Sequence, residues 1–173
     1  MSILLTVVYG QLGVSLNQII KINHDVYNTG INIPKNKKGL HLNILDKVQV
    51  KSLVNYIKPD LIINLAALTN VDFCESNSNL AAEVNTNGVK NIYDSFDGKI
   101  IHLSTDYVFD GLNGPYFEED KVNPISIYGK TKLESEKIIL KREENLVLRV
   151  NVLYDAFPNN KFNFLNWIIE NLK

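Results

Sequence analysis

The chain has 173 residues, of which 45% are hydrophobic and 21% charged, and its formal net charge at pH 7 is -1. We treat residues 1–173 as a single globular domain, and the near-neutral charge gives no electrostatic reason to expect binding to nucleic acid or to a membrane surface. The single cysteine, Cys74, excludes an intrachain disulfide and suits the reducing cytoplasm, where we expect the protein to act.

Strands and helices alternate along the first part of the chain. The apolar run Ile3–Val8 is too short to span a membrane and lacks a basic leader, so it predicts a strand buried on both faces. A helical stripe over 11–22, a short strand near 25–27, a solvated basic loop at 35–38 and an extended segment near 40–44 follow. Asp46 can cap a helix that Pro59 ends, and residues 60–66 read as a second buried strand.

The same alternation continues to the last residue. The pattern predicts a helix over 77–96, a strand over 99–105, a helix over 126–142, a strand over 145–151 and a helix over 162–173. This order predicts an α/β fold, with right-handed βαβ units in a doubly wound parallel sheet that carries helices on both faces. The apolar stripe of helix 162–173 must pack against the sheet layer or a partner chain, so we expect either a homo-oligomer or a partner contact there.

The turn after the first strand is the place to look for a phosphate site, because ligands of such sheets bind at the carboxyl ends of the strands. Gly10 would let a pyrophosphate approach the backbone, and Gly13 would let the helix pack closely on the strand. A dinucleotide-binding fingerprint has one more glycine, where this chain has Val7. If the backbone there needs a positive φ, a β-branched residue is badly suited, and an ordinary βα turn remains the alternative.

A tyrosine and a lysine on one helical face suggest redox chemistry at a carbonyl group. Tyr128 precedes Lys132 by four residues, which places both on the same side of the predicted helix. A cation beside a phenol favours the phenolate, and a hydroxyl from Ser104 or Thr105 at a strand end can share the substrate oxygen. The alternative is a surface helix with an ordinary i,i+4 pair.

Six sequence blocks resemble, in order and spacing, the dTDP-4-dehydrorhamnose reductases of the extended short-chain dehydrogenase/reductase superfamily. They are GQLG at 10–13, PDLIINLAALTNVDFCE at 59–75, VNTNGVKN at 84–91, STDYVFDG at 104–111, PYFEED at 115–120 and YGKTKLESE at 128–136. The related beta subunit of methionine adenosyltransferase shares STDYVFDG-like and YGKTKL-like blocks. Val7, Ser135 and Asp155 stand where the family commonly has glycine, and most of the family's C-terminal substrate-binding region is missing from the chain as given.

The resemblance implies a Rossmann-like NAD(P)-binding domain that reduces the C4 ketone of a nucleotide-linked 4-keto-6-deoxyhexose, as in dTDP-rhamnose and polysaccharide biosynthesis. Tyr128 would donate the proton, Lys132 would lower the pKa of Tyr128 and bind the nicotinamide ribose, and Thr105 would orient the carbonyl oxygen. The family favours NADP(H) over NAD(H). The alternative is a non-catalytic cofactor-binding or regulatory subunit, or an inactive fragment, which Val7 and the missing region favour.

The resemblance also places the cofactor. It would lie over Gly10, Gln11, Leu12 and Gly13, pass the small residues Ala66, Ala67 and Thr69 at a strand end, and reach Asn43 and Ile44 on its adenine side, besides Tyr128 and Lys132. No metal site is expected, because the histidines are scattered and the acidic residues between 106 and 120 suit a solvated loop beside the active site. Asp72 and Glu75 are expected to cap or pair locally, and Tyr107 and Phe109 to pack that loop.

Overall fold

The computed structural model describes residues 1–153. Its strands are β1 (Ser2–Leu5), β2 (Asp25–Gly30), β3 (Leu40–His41), β4 (Leu61–Asn64), β5 (Lys99–Thr105) and β6 (Leu146–Val150). Its α-helices are α1 (Gln11–Ile20), α2 (Lys47–Ile57), α3 (Val71–Ser76), α4 (Ser78–Ala82), α5 (Gly88–Ser95) and α6 (Ile127–Ile139). A π-helical turn, Glu83–Asn87, joins α4 to α5, and a 3₁₀ turn, Asp106–Val108, follows β5.

All six strands form one parallel sheet in the order β3-β2-β1-β4-β5-β6. From the centre of the sheet, β1, β2 and β3 follow one another towards one edge, and β4, β5 and β6 follow one another towards the other edge. The point where the strand order reverses therefore lies between β1 and β4. In a doubly wound sheet this is where a crevice opens beyond the carboxyl ends of the strands. The predicted fold class is confirmed.

The core has two layers because successive strand residues face opposite sides of the sheet. Leu4 packs on one side with Ile62, Ile100 and residues of α2 and α5. Ile3 and Leu5 pack on the other side, against the apolar face of α1. Helices on both faces bury the central strands β1 and β4 almost completely, which explains their nearly continuous apolar sequences.

One predicted boundary was wrong and one helix was missed, both for local reasons. The first strand ends at Leu5 rather than Val8, because residues 6–9 turn towards α1. The predicted helix 77–96 is confirmed as the continuous helical stretch 78–95, in which α4, the π-helical turn and α5 follow one another. The short helix α3 before it was not predicted, and the Asn70 side chain caps its start by accepting from the N–H of Phe73 (2.8 Å). Asn77, with φ −134° and ψ 53°, separates α3 from α4.

Other predictions agree with the structure. Strand 99–105 has the predicted bounds, and the Asp46 side chain caps α2 by accepting from the N–H of Gln49 (2.9 Å). Within residues 1–153, no helix is both long and apolar enough to cross a membrane. The predicted helix 162–173, with its expected packing, and Asp155 lie outside the described residues.

Candidate active site

A cleft of about 460 Å³ opens beyond the carboxyl ends of β1, β4, β5 and β6. It brings together nine residues predicted from the sequence, which lie up to about 120 positions apart along the chain. They are Gly10, Gln11, Leu12, Gly13, Ala67, Thr69, Thr105, Tyr128 and Lys132. The glycine turn, the strand-end hydroxyl and the Tyr–Lys pair therefore face one space.

Three of the predicted cofactor residues do not line this cleft. Ala66 is buried behind it, and its N–H donates to Thr6 Oγ1 (3.1 Å). Asn43 turns its side-chain oxygen to the N–H of Leu45 (3.0 Å), and Ile44 lies in the core. The adenine-side role of Asn43 and Ile44 stays a prediction.

Several cleft residues were missed in the sequence. Leu65 and Val71 follow β4, Leu103 belongs to β5, Val150 ends β6, and residues 151–153 follow it. These residues carry no chemical motif. Their position just after parallel strands was the only available signal, since such ends converge at one edge of a sheet.

The backbone at Val7 has the left-handed conformation to which, from the sequence, a β-branched residue is badly suited. Its φ is 51°, a region that L-residues enter at a cost and β-branched ones rarely adopt. The Val7 side chain is 39% exposed and lines the cleft beside Gly10. The missing glycine of the fingerprint is thus a real strain in the phosphate turn.

The rest of the turn suits a pyrophosphate. Helix α1 begins directly after Gly10, which provides no side-chain cap, so the helix N-terminus is open to an anion. A Cβ atom at Gly13 would lie 2.5 Å from the Val7 carbonyl oxygen and 2.7 Å from the Val8 oxygen. Only glycine allows the helix to approach the strand this closely, as expected for this position.

Tyr128 is held at the start of α6. The Ser126 side chain caps the helix by accepting from the N–H of Gly129 (3.0 Å). The Tyr128 ring is 8% exposed and packs edge-on against Tyr107, with ring centroids 5.7 Å apart. Burial raises the pKa of Tyr128, and a hydrogen bond between its side chain and that of Thr105 partly opposes the rise. The phenol therefore stays protonated at neutral pH.

Lys132 is 1% exposed and its amine is directed at β5. Lys132 Nζ donates to the Leu103 carbonyl oxygen (2.6 Å) and lies 3.2 Å from His102 Nε2. Burial lowers the pKa of Lys132 to about 7, against the opposing effect of the Glu136 charge. The expected lowering of the Tyr128 pKa by Lys132 is not observed here, because burial dominates at both groups.

The two strand-end hydroxyls have different partners. Ser104 donates to Glu136, whose carboxylate also pairs with Arg149 (2.7 Å). Thr105 donates to the Asp106 carboxylate (3.2 Å), accepts from the N–H of Tyr107 (3.2 Å) and affects the pKa of Tyr128. Thr105 is thus the hydroxyl that acts on the phenol, while Ser104 is engaged by the buried ion pair.

The acidic loop after β5 is ordered by Asp110. Its carboxylate accepts from the Tyr116 hydroxyl (2.5 Å) and from Asn123 Nδ2 (3.0 Å), and the Tyr116 bond is the main reason that the pKa of Asp110 falls to about 2. Phe109 stacks on Tyr116 with centroids 4.5 Å apart, so its expected packing role is confirmed. Across residues 1–153, no group of three or more His, Cys, Asp or Glu side chains is arranged to hold a metal ion.

Comparison with known proteins gives the family. A family model described as the RmlD substrate binding domain matches residues 1–173. The chain belongs to this family. A dTDP-4-dehydrorhamnose reductase from Aggregatibacter actinomycetemcomitans is 34% identical over 163 residues, which are 91% of this chain and 53% of that protein. The resemblance to the dTDP-4-dehydrorhamnose reductase family is therefore confirmed.

Two further relatives show the breadth of the family. The crystal structure of dTDP-4-dehydrorhamnose reductase from Bacillus anthracis, in complex with NADP, superposes with a TM-score of 0.86 at 30% identity over 98% of this chain and 58% of that chain. The methionine adenosyltransferase 2 subunit beta of Xenopus tropicalis is 42% identical over 118 residues, 66% of this chain and 35% of that protein. The chain thus spans between about a third and three-fifths of the length of these three relatives.

Proposed function

We propose that this chain forms the cofactor-binding and proton-donating part of an NAD(P)H-dependent reductase. Its substrate would be a nucleotide-linked 4-keto-6-deoxyhexose, reduced at the C4 ketone. The observation that carries the proposal is one cleft lined by Thr105, Tyr128, Lys132 and the open N-terminus of α1. Hydride transfer from a bound cofactor to a carbonyl substrate requires the cofactor site and the proton-donating side chains to line the same cleft.

The residues of the cleft suit a nicotinamide dinucleotide. Gln11 and Leu12, in the first turn of α1, would bind the pyrophosphate through their backbone N–H groups, and Gly13 keeps that helix close to the strand. Ala67 and Thr69 offer small side chains at the end of β4, where the dinucleotide would cross the sheet. When bound, the cofactor would supply a hydride to the ketone carbon. We favour NADP(H) over NAD(H) because a related reductase is described in complex with NADP.

The proton side of the reaction falls to three side chains. The Thr105 hydroxyl would donate a hydrogen bond to the substrate carbonyl oxygen and orient it. The Tyr128 hydroxyl would give its proton to that oxygen as negative charge develops, which suits a phenol that burial keeps protonated. The Lys132 amine, with a pKa of about 7, can exchange a proton near neutral pH and so restore the Tyr128 proton after turnover.

The second candidate is a non-catalytic regulatory subunit that binds the dinucleotide. The strained backbone at Val7 favours it, and so does the similarity to the methionine adenosyltransferase 2 subunit beta. Under the reductase proposal, the deoxysugar-nucleotide pocket would need residues beyond 1–153, and we propose that a partner chain contributes to it through the region 162–173.

Titration with NADPH and with NADH, followed by nicotinamide fluorescence, tests the shared first step. Reduction of a 4-keto-6-deoxy nucleotide sugar is then assayed with the complete chain. Failure to bind either dinucleotide would exclude both candidates. Binding with turnover that depends on Tyr128 supports the reductase, and binding without turnover supports the regulatory subunit.

A further inference from the structure

A buried line of hydrogen bonds runs behind the cleft from the end of β1 to α6. The hydroxyl of Thr6 donates to Asn64 Oδ1 (2.8 Å), and Asn64 Nδ2 lies 3.0 Å from His102 Nδ1. His102 Nε2 in turn lies 3.0 Å from Ser135 Oγ. Thr6, Asn64, His102 and Ser135 are all buried, so each must find its hydrogen-bond partners inside the protein.

The partners assign a direction to every bond in this line. The N–H of Ala66 donates to Asn64 Oδ1 (3.2 Å), which leaves the Asn64 amide nitrogen facing the ring of His102. His102 Nδ1 must then accept, so the single proton of a neutral imidazole lies on Nε2 and points to Ser135 Oγ. Burial, followed by the Lys132 charge, holds the pKa of His102 well below its usual value, in keeping with a neutral ring.

Ser135 links this line to the catalytic lysine. Its hydroxyl donates to the main-chain carbonyl of Lys132 (2.6 Å), and its oxygen is the acceptor for the His102 ring proton. The Lys132 amine lies 3.2 Å from the same ring nitrogen, and a charged ammonium has no lone pair to accept that proton. Ser135 therefore keeps the ring N–H directed away from the lysine nitrogen.

We propose that Ser135 and His102 are positioning residues for Lys132. The ring of His102 lies behind the Lys132 amine, and the Leu103 carbonyl accepts a hydrogen bond from that amine. Ser135 fixes the direction of the ring N–H. The amine therefore has one defined position at the wall of the cleft. This inference rests on the proposed function, in which Lys132 serves Tyr128.

Other charged and titratable groups surround Lys132 and must be held constant in any test. Glu136 lies one turn later on α6, and its charge raises the pKa of Lys132. Tyr128 and Asp106 line the same cleft as Lys132. His102 lies 3.2 Å from the Lys132 amine, and Arg149 of β6 pairs with Glu136. None of these side chains is itself substituted when only the Ser135 hydroxyl is removed.

The test is an NMR titration of Lys132 in the complete chain without cofactor, in the wild type and in Ser135→Ala. Without its acceptor, the ring N–H turns to the Lys132 nitrogen, which accepts only as a neutral amine. We expect the Lys132 titration midpoint to fall by about 0.5 to 1 pH unit. Ser135→Gly removes the same hydroxyl and should give the same shift.

Thr131→Val is the matched control. The Thr131 hydroxyl donates to the Tyr128 carbonyl (2.9 Å) in the same i−3 pattern, one turn earlier on α6, but Thr131 does not bond His102. Its removal should leave the Lys132 midpoint unchanged. An equal shift in Thr131→Val, or no shift in Ser135→Ala and Ser135→Gly, would overturn the proposal.

The ¹⁵N spectrum of His102 gives a second readout. We expect a neutral ring with its proton on Nε2 throughout the pH range in which an ordinary histidine titrates. A proton on Nδ1, or a titrating ring, would overturn the proposal. Both measurements use the cofactor-free chain, so they stand apart from dinucleotide binding and turnover, whose failure would count only against the proposed function.

Discussion

Replacing Val7 with glycine should improve the phosphate turn. Val7 has φ 51°, and the left-handed region costs an L-residue about 1–2 kcal/mol. Glycine adopts this conformation freely but loses about 0.5–1 kcal/mol through the greater entropy of the unfolded chain. We expect Val7→Gly to change the free energy of unfolding by about 0–1.5 kcal/mol in the stabilising direction.

The larger effect should fall on dinucleotide binding. The Val7 side chain lines the cleft, and its Cγ1 lies 3.3 Å from where a Cβ at Gly10 would be, so it stands over the part of the turn that a pyrophosphate must approach. Removing it should tighten NADPH binding by about 3- to 10-fold, or about 0.7–1.4 kcal/mol. Fluorescence titration measures the affinity, and urea unfolding measures the stability.

Two controls separate the causes. Val7→Ala removes the bulk but keeps a side chain in the left-handed region, so it isolates the steric part of the effect. Lys58 also has a positive φ, 50°, but lies at the C-terminus of α2 and not in the cleft. Lys58→Gly should therefore leave NADPH affinity unchanged. Unchanged or weaker NADPH binding in Val7→Gly, or an equal gain in Lys58→Gly, would refute this reasoning.

Three further predictions concern the groups behind the chemistry. In an active protein, Tyr128→Phe should lower kcat by about two to four decades with little effect on NADPH affinity, whereas Tyr107→Phe, which keeps the ring contact, should retain most of kcat. Gly13→Ala should destabilise the fold by about 1–3 kcal/mol in urea unfolding, because the new Cβ would lie 2.5 Å from a carbonyl oxygen; a stable Gly13→Ala would show that the turn can relax. The folded pKa of Lys132, about 7, lies below its ordinary 10.5, so between these pH values the unfolded chain binds one more proton than the folded chain. This group therefore makes the free energy of unfolding rise with pH from about 7 to 10.5. The stability that it contributes at high pH is lost as the pH falls through about 7. Lys132→Met should remove that part of the slope, and an identical pH dependence in both proteins would contradict the burial of the amine.

Most strands and helices could be predicted from patterns among neighbouring residues. The strand at 99–105 and the cap at Asp46 depend on neighbouring residues only, through an apolar run and a side chain that accepts from the N–H three positions later. The helix predicted over 77–96 corresponds to the helical stretch 78–95, but the separate helix α3 before it was not predicted, because it depends on the Asn70 cap and on the backbone of Asn77, where it ends. Apolar periodicity alone does not reveal such breaks.

The sequence by itself determined the alternation of strand and helix, the family resemblance, and the candidates Thr105, Tyr128 and Lys132, because these depend on residue types at fixed spacing. Only the tertiary structure decided that Val7 is strained, that the Lys132 amine is buried against β5, and that burial raises rather than lowers the pKa of Tyr128. Strain and desolvation arise from atoms brought together across the sheet by packing. Their sign at a site depends on those distant neighbours, which no local pattern of residues contains.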